Sequence, residues 1–133
     1  MNATELLNSH FRTIKVDPHA WRALCAADAV LEMPFAPAHT PRILKGIDAI
    51  AESVKGFFDQ LDDDFKIDVR NIYGIEDEDA AIAEFSVVAT VIATGKVYDQ
   101  DYIAYLRARN GKIELYREYL NSARTIAAFA PIK

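Results

Sequence analysis

Apolar and polar residues alternate most regularly in the last third of the chain, between Tyr98 and Asn121. Two strand-like runs flank Asn110-Gly111 there. Asn-Gly between alternating runs is typical of a two-residue type I′ hairpin turn, whose central residues both need positive φ. Because such a turn fixes the register, we expect one face of the hairpin to carry these opposing pairs: Arg107 with Glu114, Tyr105 with Tyr116, Ile103 with Glu118, and Asp101 with Leu120.

A second turn precedes this hairpin. Gly95-Lys96 follows a long β-branched run and fits a type II′ turn, which has glycine in its first central position. Continuing the register across this turn predicts a charge ladder of Glu84, Arg107 and Glu114 on three neighbouring strands.

The N-terminal half has helical periodicity. Asn2 and Glu5 form the pattern of a capping box at the start of a first helix, and Asp17-Pro18 is typical of the start of a second, which we expect to include Cys25. A third helix follows the sequence PRILKG, since its apolar residues recur at helical spacing. Between the second and third helices, AVLEMPF predicts a brief strand, and a proline-rich loop follows it.

This order of elements predicts an α+β domain that spans residues 1–133. Three N-terminal helices would cover one face of a curved antiparallel sheet of three or four long strands, and together they would enclose a cone-shaped cavity. The outer sheet face would be too apolar to remain in water, because it would carry Leu106, Leu115, Tyr102, Tyr119 and Val91. We therefore expect a homodimer that buries this face.

Composition and charge narrow the range of partners. Hydrophobic residues make up 51% of the chain and charged residues 26%, as in ordinary globular domains. The net charge of −5, without a cluster of Lys or Arg, argues against nucleic acid and anionic membranes. No apolar run approaches the ~20 residues that a membrane span needs. The single cysteine and the absence of a signal-peptide pattern favour the cytoplasm.

Glu118 is the strongest candidate for chemistry. In the predicted register it lies on a mostly apolar face, where a carboxylate needs a partner, a proton or a function. Burial would raise its pKa, and Asp101, diagonally across at ~7–8 Å, would raise it further. Such a pair can donate and accept protons near neutral pH. The alternative is a structural ion pair of Glu118 with Arg22, with Arg42, or with Arg117 of a second copy.

Other candidate residues would surround Glu118. Tyr105 or Tyr116 could hydrogen-bond a ligand oxygen, and His39 in the proline-rich loop could assist as acid or base. The cavity walls would include Ile103, Leu120, Val88, Phe57, Phe58 and Trp21. One of Glu32 and Met33 would also point inward, because neighbouring strand residues face opposite sides. His10 shares the apolar side of the first helix, where it either lines the cavity or packs in the core.

Motifs for metals and cofactors are missing from the sequence. It contains no glycine-rich phosphate loop, no Cys/His spacing for a metal and no Ser-His-Asp order, and the run Asp62-Asp63-Asp64 lacks the spacing of a calcium loop. We therefore expect a site that works without a metal or a cofactor.

Several segments together resemble the SnoaL-like branch of the nuclear transport factor 2-like superfamily: Asp17-Pro18, DAVLEMPFAP, KGIDAI, ATGKVYDQDYI and NGKIELYREYLN. This resemblance implies a cone-shaped α+β fold with an internal pocket, usually in a dimer. The superfamily includes polyketide cyclases, ketosteroid isomerases, dehydratases, phenazine-pathway proteins and catalytically silent binders, so the fold alone does not give the function.

Two branches of the superfamily can be compared with this chain at the site. The position of the general-base aspartate of ketosteroid isomerases falls on Met33, and that of their oxyanion-hole aspartic acid falls on Ile103, so steroid isomerisation by that mechanism is not expected. REYLN resembles the phenazine-pathway branch, in which the glutamate at the position of Glu118 acts as pocket acid or base, although Ser122 stands where a proline is common.

The expected function is that of a cofactor-independent isomerase, cyclase or dehydratase acting on a small, largely apolar carbonyl or aromatic compound. The alternative is a non-catalytic dimer that binds a small ligand or serves a pathway as an accessory.

Overall fold

The computed structural model describes residues 1–131 and confirms the predicted α+β fold. The helices are α1 (Ala3–Thr13), α2 (Pro18–Ala23), α3 (Ile47–Asp59) and α4 (Ser122–Phe129). The strands are β1 (Cys25–Glu32), β2 (Ile43–Lys45), β3 (Lys66–Gly74), β4 (Ala80–Thr90), β5 (Val97–Arg109) and β6 (Lys112–Leu120).

The six strands form one curved, unclosed sheet in the order β2-β1-β6-β5-β4-β3. All neighbours are antiparallel except β1 and β6, which run parallel. Helix α1 packs against β3 to β6, and α3 packs against β1 and β2. The helices therefore cover the concave face of the sheet, and the core lies between the two layers.

Both N-terminal helices begin where the sequence predicts. In α1, the Asn2 side chain accepts a hydrogen bond from the Glu5 backbone N–H at 2.9 Å, and the Glu5 carboxylate accepts one from the Asn2 N–H at 3.1 Å. This reciprocal pair satisfies two N–H groups that the helix itself cannot. In α2, the Asp17 side chain accepts from the Ala20 N–H at 3.1 Å.

One predicted boundary is wrong, and one helix was not predicted. Helix α2 ends at Ala23, because Cys25 already pairs with Ile113 of β6 at the start of β1. The segment after Asn121, for which the sequence pattern predicts no element, forms α4. Its N-cap is Asn121, whose side chain accepts a hydrogen bond from the Ala123 N–H at 3.1 Å.

The predicted hairpin turn is present, but the register changes soon after it. Asn110 and Gly111 have φ of 53° and 75°, as a type I′ turn requires, and Arg109 faces Lys112. A β-bulge at Glu114 then shifts β6 by one residue against β5.

The bulge overturns the predicted pairs beyond it. Arg107 lies opposite Leu115 instead of Glu114, and Glu118 lies opposite Ala104 instead of Ile103. One extra residue in a strand reverses the face of every later side chain. Beyond the bulge, the concave face therefore receives Tyr116, Glu118 and Leu120, and the convex face receives Arg117 and Tyr119.

The predicted apolar outer face is wrong for the same reason. Leu106, Tyr102 and Val91 are buried on the concave side, at 0%, 7% and 1% exposure. Of the five residues expected on the outer face, Leu115 and Tyr119 lie on the convex side.

The second turn is longer than predicted. The strands separate at the pair Thr90 and Val97, and Glu84 consequently lies opposite Ile103 instead of Arg107. Only half of the predicted charge ladder forms: Arg107 donates to Glu114 at 2.9 Å, but Glu84 accepts a hydrogen bond from Asn71 at 3.2 Å instead.

The faces of β5 can be tested by truncation. Leu106→Ala removes a fully buried side chain from the protomer core, and we expect it to lower the free energy of unfolding by roughly 3 kcal/mol. Val97→Ala, at a site of β5 that is 61% exposed on the opposite face, should cost less than about 1 kcal/mol. Urea unfolding measures both. Equal losses would contradict the assignment of the faces.

Candidate functional site

A cavity of about 590 Å³ lies between the concave face of the sheet and helices α1, α3 and α4. Its volume is within the range of small-molecule sites, roughly 300–1,000 Å³. The walls are mostly apolar, and their aromatic side chains include Phe11, Phe57, Phe58, Phe85, Tyr102 and Phe129. No Lys or Arg lines the cavity within the described residues, so it suits a small, uncharged and largely apolar ligand.

Glu118 is the only carboxylate that the described residues contribute to the cavity wall. Its Oε2 accepts a hydrogen bond from the Tyr116 hydroxyl at 3.1 Å. The cavity leaves the side chain partly accessible, but protein surrounds it, and this burial raises the pKa of Glu118 to about 7. The bond from Tyr116 opposes the shift without cancelling it. Glu118 can therefore both hold and release a proton near neutral pH.

The predicted ion-pair alternatives do not form within the protomer. Arg22 pairs with Asp48, and Arg117 pairs with Glu32 at 3.0 Å. Within residues 1–131, no Lys, Arg or His makes a salt bridge with Glu118. A carboxyl group without a cation in an apolar site favours its protonated form.

Local structure explains how Glu118 reaches the cavity. The bulge in β6 turns its side chain to the concave face, where it lies opposite Ala104. Ala104 itself is fully buried.

Asp101 and His39 lie away from the cavity, so the predicted carboxylate pair and rim histidine are corrected. Asp101 is on the convex face, where its carboxylate accepts hydrogen bonds from Ser86 at 3.1 Å, Arg124 at 2.9 Å and Arg70 at 3.2 Å. The bond from Ser86, with support from the arginines, lowers the pKa of Asp101. His39 is exposed in its loop.

The predicted ligand-binding residues divide between the two faces. Those that line the cavity are Trp21, Met33, Phe57, Phe58, Tyr116 and Leu120. Those on the convex face are Glu32, Val88, Ile103 and Tyr105. Of Glu32 and Met33, it is therefore Met33 that points into the cavity, because Glu32 accepts a hydrogen bond from Arg117 on the convex face. Tyr105 cannot bind a ligand in the cavity, because its hydroxyl donates to Glu78 on the convex side.

Sequence reasoning missed a group of tyrosines under α4. The Tyr98 and Tyr102 hydroxyls are hydrogen-bonded to each other, and Tyr98 also lies 3.4 Å from Thr125 Oγ1. Burial raises the pKa of both tyrosines, so both hydroxyls stay protonated. The alternation along β5 does place Tyr98 and Tyr102 on one face, but that face was predicted to be the outer one. Their partner Thr125 lies on α4, a helix that was not predicted.

His10 also lines the cavity, as one of the two possibilities left open by its helical spacing. Its Nδ1 accepts a hydrogen bond from the Trp21 indole N–H at 3.0 Å, and burial lowers the pKa of His10 to about 3.

Within residues 1–131, no three His, Cys, Asp or Glu side chains lie together as metal ligands would. The helices of the same range are too short or too polar to cross a membrane.

The sequence was compared with models of known protein families. The model of the SnoaL-like domain matches residues 6–116, most of the chain. The chain belongs to the SnoaL-like family. The resemblance inferred from the sequence is thereby confirmed, and members of this family and its NTF2-like relatives bind small ligands.

Individual relatives cover nearly the whole SnoaL-like chain. An uncharacterised PhzA/B-like protein of Pseudomonas aeruginosa is 34% identical over 134 residues, which is 100% of this chain and 94% of the relative. A solved structure from Bacillus subtilis, provisionally named an isomerase, has a TM-score of 0.88 and 31% identity, covering 98% of this chain and 94% of that one. An NTF2-like protein of Burkholderia thailandensis has a TM-score of 0.83 at 16% identity, covering 98% and 99%, and shows the fold alone.

The resemblance to ketosteroid isomerases assigns Met33 to the position of their general base, and Met33 lines the cavity without an acidic group. It assigns Ile103 to their oxyanion-hole acid, but Ile103 lies on the convex face, outside the cavity, so this second correspondence is wrong. Any acid/base chemistry in this SnoaL-like cavity therefore depends on a different carboxylate.

The pKa of Glu118 makes stability depend on pH. The folded protein keeps this proton up to about pH 7, whereas the unfolded chain releases it near 4.5, so the contribution of Glu118 to stability falls as pH rises between these values. Glu118→Gln removes this loss. Between about pH 4.5 and 8, we expect the variant to gain roughly 3 kcal/mol relative to the wild type, at about 1.4 kcal/mol per pKa unit.

Urea unfolding across that pH range provides the measurement, with Asp101→Asn as the control of opposite sign. The pKa of Asp101 is lowered in the folded protein, so the wild type loses the stability contributed by Asp101 as pH falls. If Glu118→Gln and the wild type kept a constant difference at every pH, Glu118 would have an ordinary pKa.

Proposed function

We propose that this SnoaL-like protein is a cofactor-independent acid/base enzyme of isomerase, cyclase or dehydratase type. Its substrate would be a small, largely apolar carbonyl or aromatic compound. The observation that carries the proposal is Glu118, a carboxyl group that faces an apolar cavity, has a pKa of about 7 and makes no salt bridge with the described residues 1–131. The provisional naming of the Bacillus subtilis relative as an isomerase agrees with this class.

The proposed chemistry is a proton transfer at carbon. The Glu118 carboxylate removes a proton from the carbon next to the carbonyl, the C–H electron pair moves toward the carbonyl oxygen, and an enolate forms. The resulting carboxylic acid returns the proton to the same or a neighbouring carbon, so no oxidant or reductant is needed. Tyr116 holds the Glu118 Oε2 by its hydroxyl, which leaves Oε1 for the transfer.

Hydrogen exchange in a model ketone tests this reaction without knowledge of the natural substrate. We expect the wild type to accelerate deuterium incorporation from D₂O next to the carbonyl of 2-tetralone, followed by proton NMR. Glu118→Gln cannot accept the proton, so the acceleration should fall by roughly 10²–10⁴-fold.

Asp101→Asn is the matched control for this exchange, because it removes a carboxylate from the convex face of the same sheet. It should keep the wild-type rate. The enzyme proposal fails if the wild type gives no acceleration over buffer, or if Glu118→Gln retains it.

A non-catalytic ligand-binding or pathway accessory dimer is the second candidate. It is favoured by the polar groups under α4, which are already bonded to one another, and by the methionine at the isomerases' base position. For such a binder, Glu118→Gln would retain ligand affinity and no exchange would occur.

We also propose that the protein is a homodimer formed through the convex sheet face, within the reducing cytoplasm that its single cysteine favours. Large apolar side chains are exposed on or beside this face, namely Phe35, Ile43, Tyr73, Val88 and Ile103. Such a face is typical of self-association.

Light scattering after size exclusion tests the dimer. We expect twice the monomer mass for the wild type and the monomer mass for Ile103→Glu, since the new charge would be buried without a partner. Val16→Glu, at a site 78% exposed in the turn between α1 and α2, should remain dimeric. A monomeric wild type would exclude this assembly.

A further inference from the structure

His10 is held by one defined hydrogen bond at the cavity wall. It lies on α1, is 4% exposed, and accepts the Trp21 indole N–H at Nδ1 over 3.0 Å. An indole nitrogen can only donate, so His10 Nδ1 must carry its lone pair toward Trp21. In a neutral imidazole the proton is then on Nε2.

The surroundings of His10 keep the ring neutral. Its ring contacts are Phe11, Trp21 and Tyr116, with the Tyr116 ring centroid at 4.7 Å. Arg12, two residues further along α1, donates to Ser9 at 3.1 Å. Protonation would both bury a charge and oppose the Trp21 bond, and the lowered pKa of His10 agrees with this.

The Trp21 bond is the only side-chain hydrogen bond that His10 makes with the described residues, so its Nε2–H is left without an acceptor there, and the side chain lines the cavity. Tyr116 joins His10 to Glu118, because its ring packs on the imidazole while its hydroxyl binds the Glu118 carboxylate. A fixed N–H donor and a titratable carboxyl group therefore flank the same tyrosine.

We propose that His10 is the oxygen-binding group of the cavity, donating its Nε2–H to the carbonyl oxygen of an uncharged ligand, and that Trp21 is the positioning residue that selects this tautomer. The part that concerns catalysis rests on the proposed function of Glu118. When Glu118 removes a proton, charge develops on the carbonyl oxygen, and a neutral N–H stabilises it without giving up its own proton.

The site also defines a class of ligand. A ligand with a carboxylate or phosphate would bury a negative charge opposite Glu118. The described walls contain no Lys or Arg to balance that charge, and the imidazole of His10 is neutral, so binding of an anion is disfavoured. The ligand class is therefore an uncharged ketone or aldehyde on an apolar skeleton.

The tautomer is tested by nitrogen-15 NMR of the imidazole rings, with His19→Gln and His39→Gln to assign the three histidines. We expect His10 to carry its proton on Nε2 without titrating between about pH 5 and 9. Trp21→Phe should change the tautomer ratio while the protein stays folded. Protonation of Nδ1 in the wild type, or an unchanged ratio in Trp21→Phe, would overturn the proposal.

Ligand selection is tested by calorimetric titration at about pH 6 with three naphthalenes. The wild type should bind 2-acetylnaphthalene roughly two- to tenfold more tightly than 2-ethylnaphthalene, the factor expected for one net hydrogen bond, and should bind 2-naphthoate most weakly. His10→Phe should abolish the preference for the ketone. The double variant His10→Phe with Trp21→Phe removes both partners of the buried bond, so it guards against loss of folding.

Glu118→Gln separates this proposal from the proposed function. It should keep the ketone preference while losing the deuterium exchange. If the wild type shows the preference but no exchange, the oxygen-binding role of His10 stands and the protein is a binder. If the wild type shows no preference, or His10→Phe retains it, the role of His10 is refuted even where exchange occurs.

Discussion

The β-bulge at Glu114 is the constraint on which the chemistry of the cavity depends. Without it, Glu118 would lie opposite Ile103 and would face outward with it. The extra residue reverses the later part of β6, so Glu118 enters the cavity and Arg117 leaves it. The bulge is held on the convex face, where the Glu114 carboxylate accepts hydrogen bonds from Arg107 at 2.9 Å and Arg109 at 2.8 Å. The bulge that turns Glu118 into the cavity therefore coincides with an ion-pair cluster of Glu114, Arg107 and Arg109 on the convex face.

Desolvation then sets the charge of the cavity. It raises the pKa of Glu118 and lowers that of His10, because in both cases the charged form is the one that burial disfavours. Their contributions to stability oppose each other, since the wild type loses stability through Glu118 and gains it through His10 as pH rises from about 4.5 to 6.5. Between these two values, the pH dependence of the wild type therefore shows only the difference between the two contributions.

The C-terminal helix completes the site by linking the end of β6 to β5. Gln100 is fully buried and donates to the Asn121 carbonyl at 2.7 Å and to Thr125 Oγ1 at 3.1 Å. At the other end of α4, Thr94 donates to the Ala128 carbonyl at 2.9 Å. These bonds hold α4 across the end of the cavity, where its Phe129 forms part of the aromatic wall.

The sequence by itself determined the features that depend on neighbouring residues: the capped starts of α1 and α2, the Asn110-Gly111 turn, the α+β class, and Glu118 as the carboxylate of interest. Only the tertiary structure decided which faces these residues occupy. The bulge in β6 reverses the face of Glu118 relative to β5 through contacts between strands, and no local pattern records it, so Asp101, Tyr105 and Val88 were assigned to the wrong face. The neutral state of His10 was undetermined for the same physical reason, since its indole partner is on another helix and its burial comes from the assembled core.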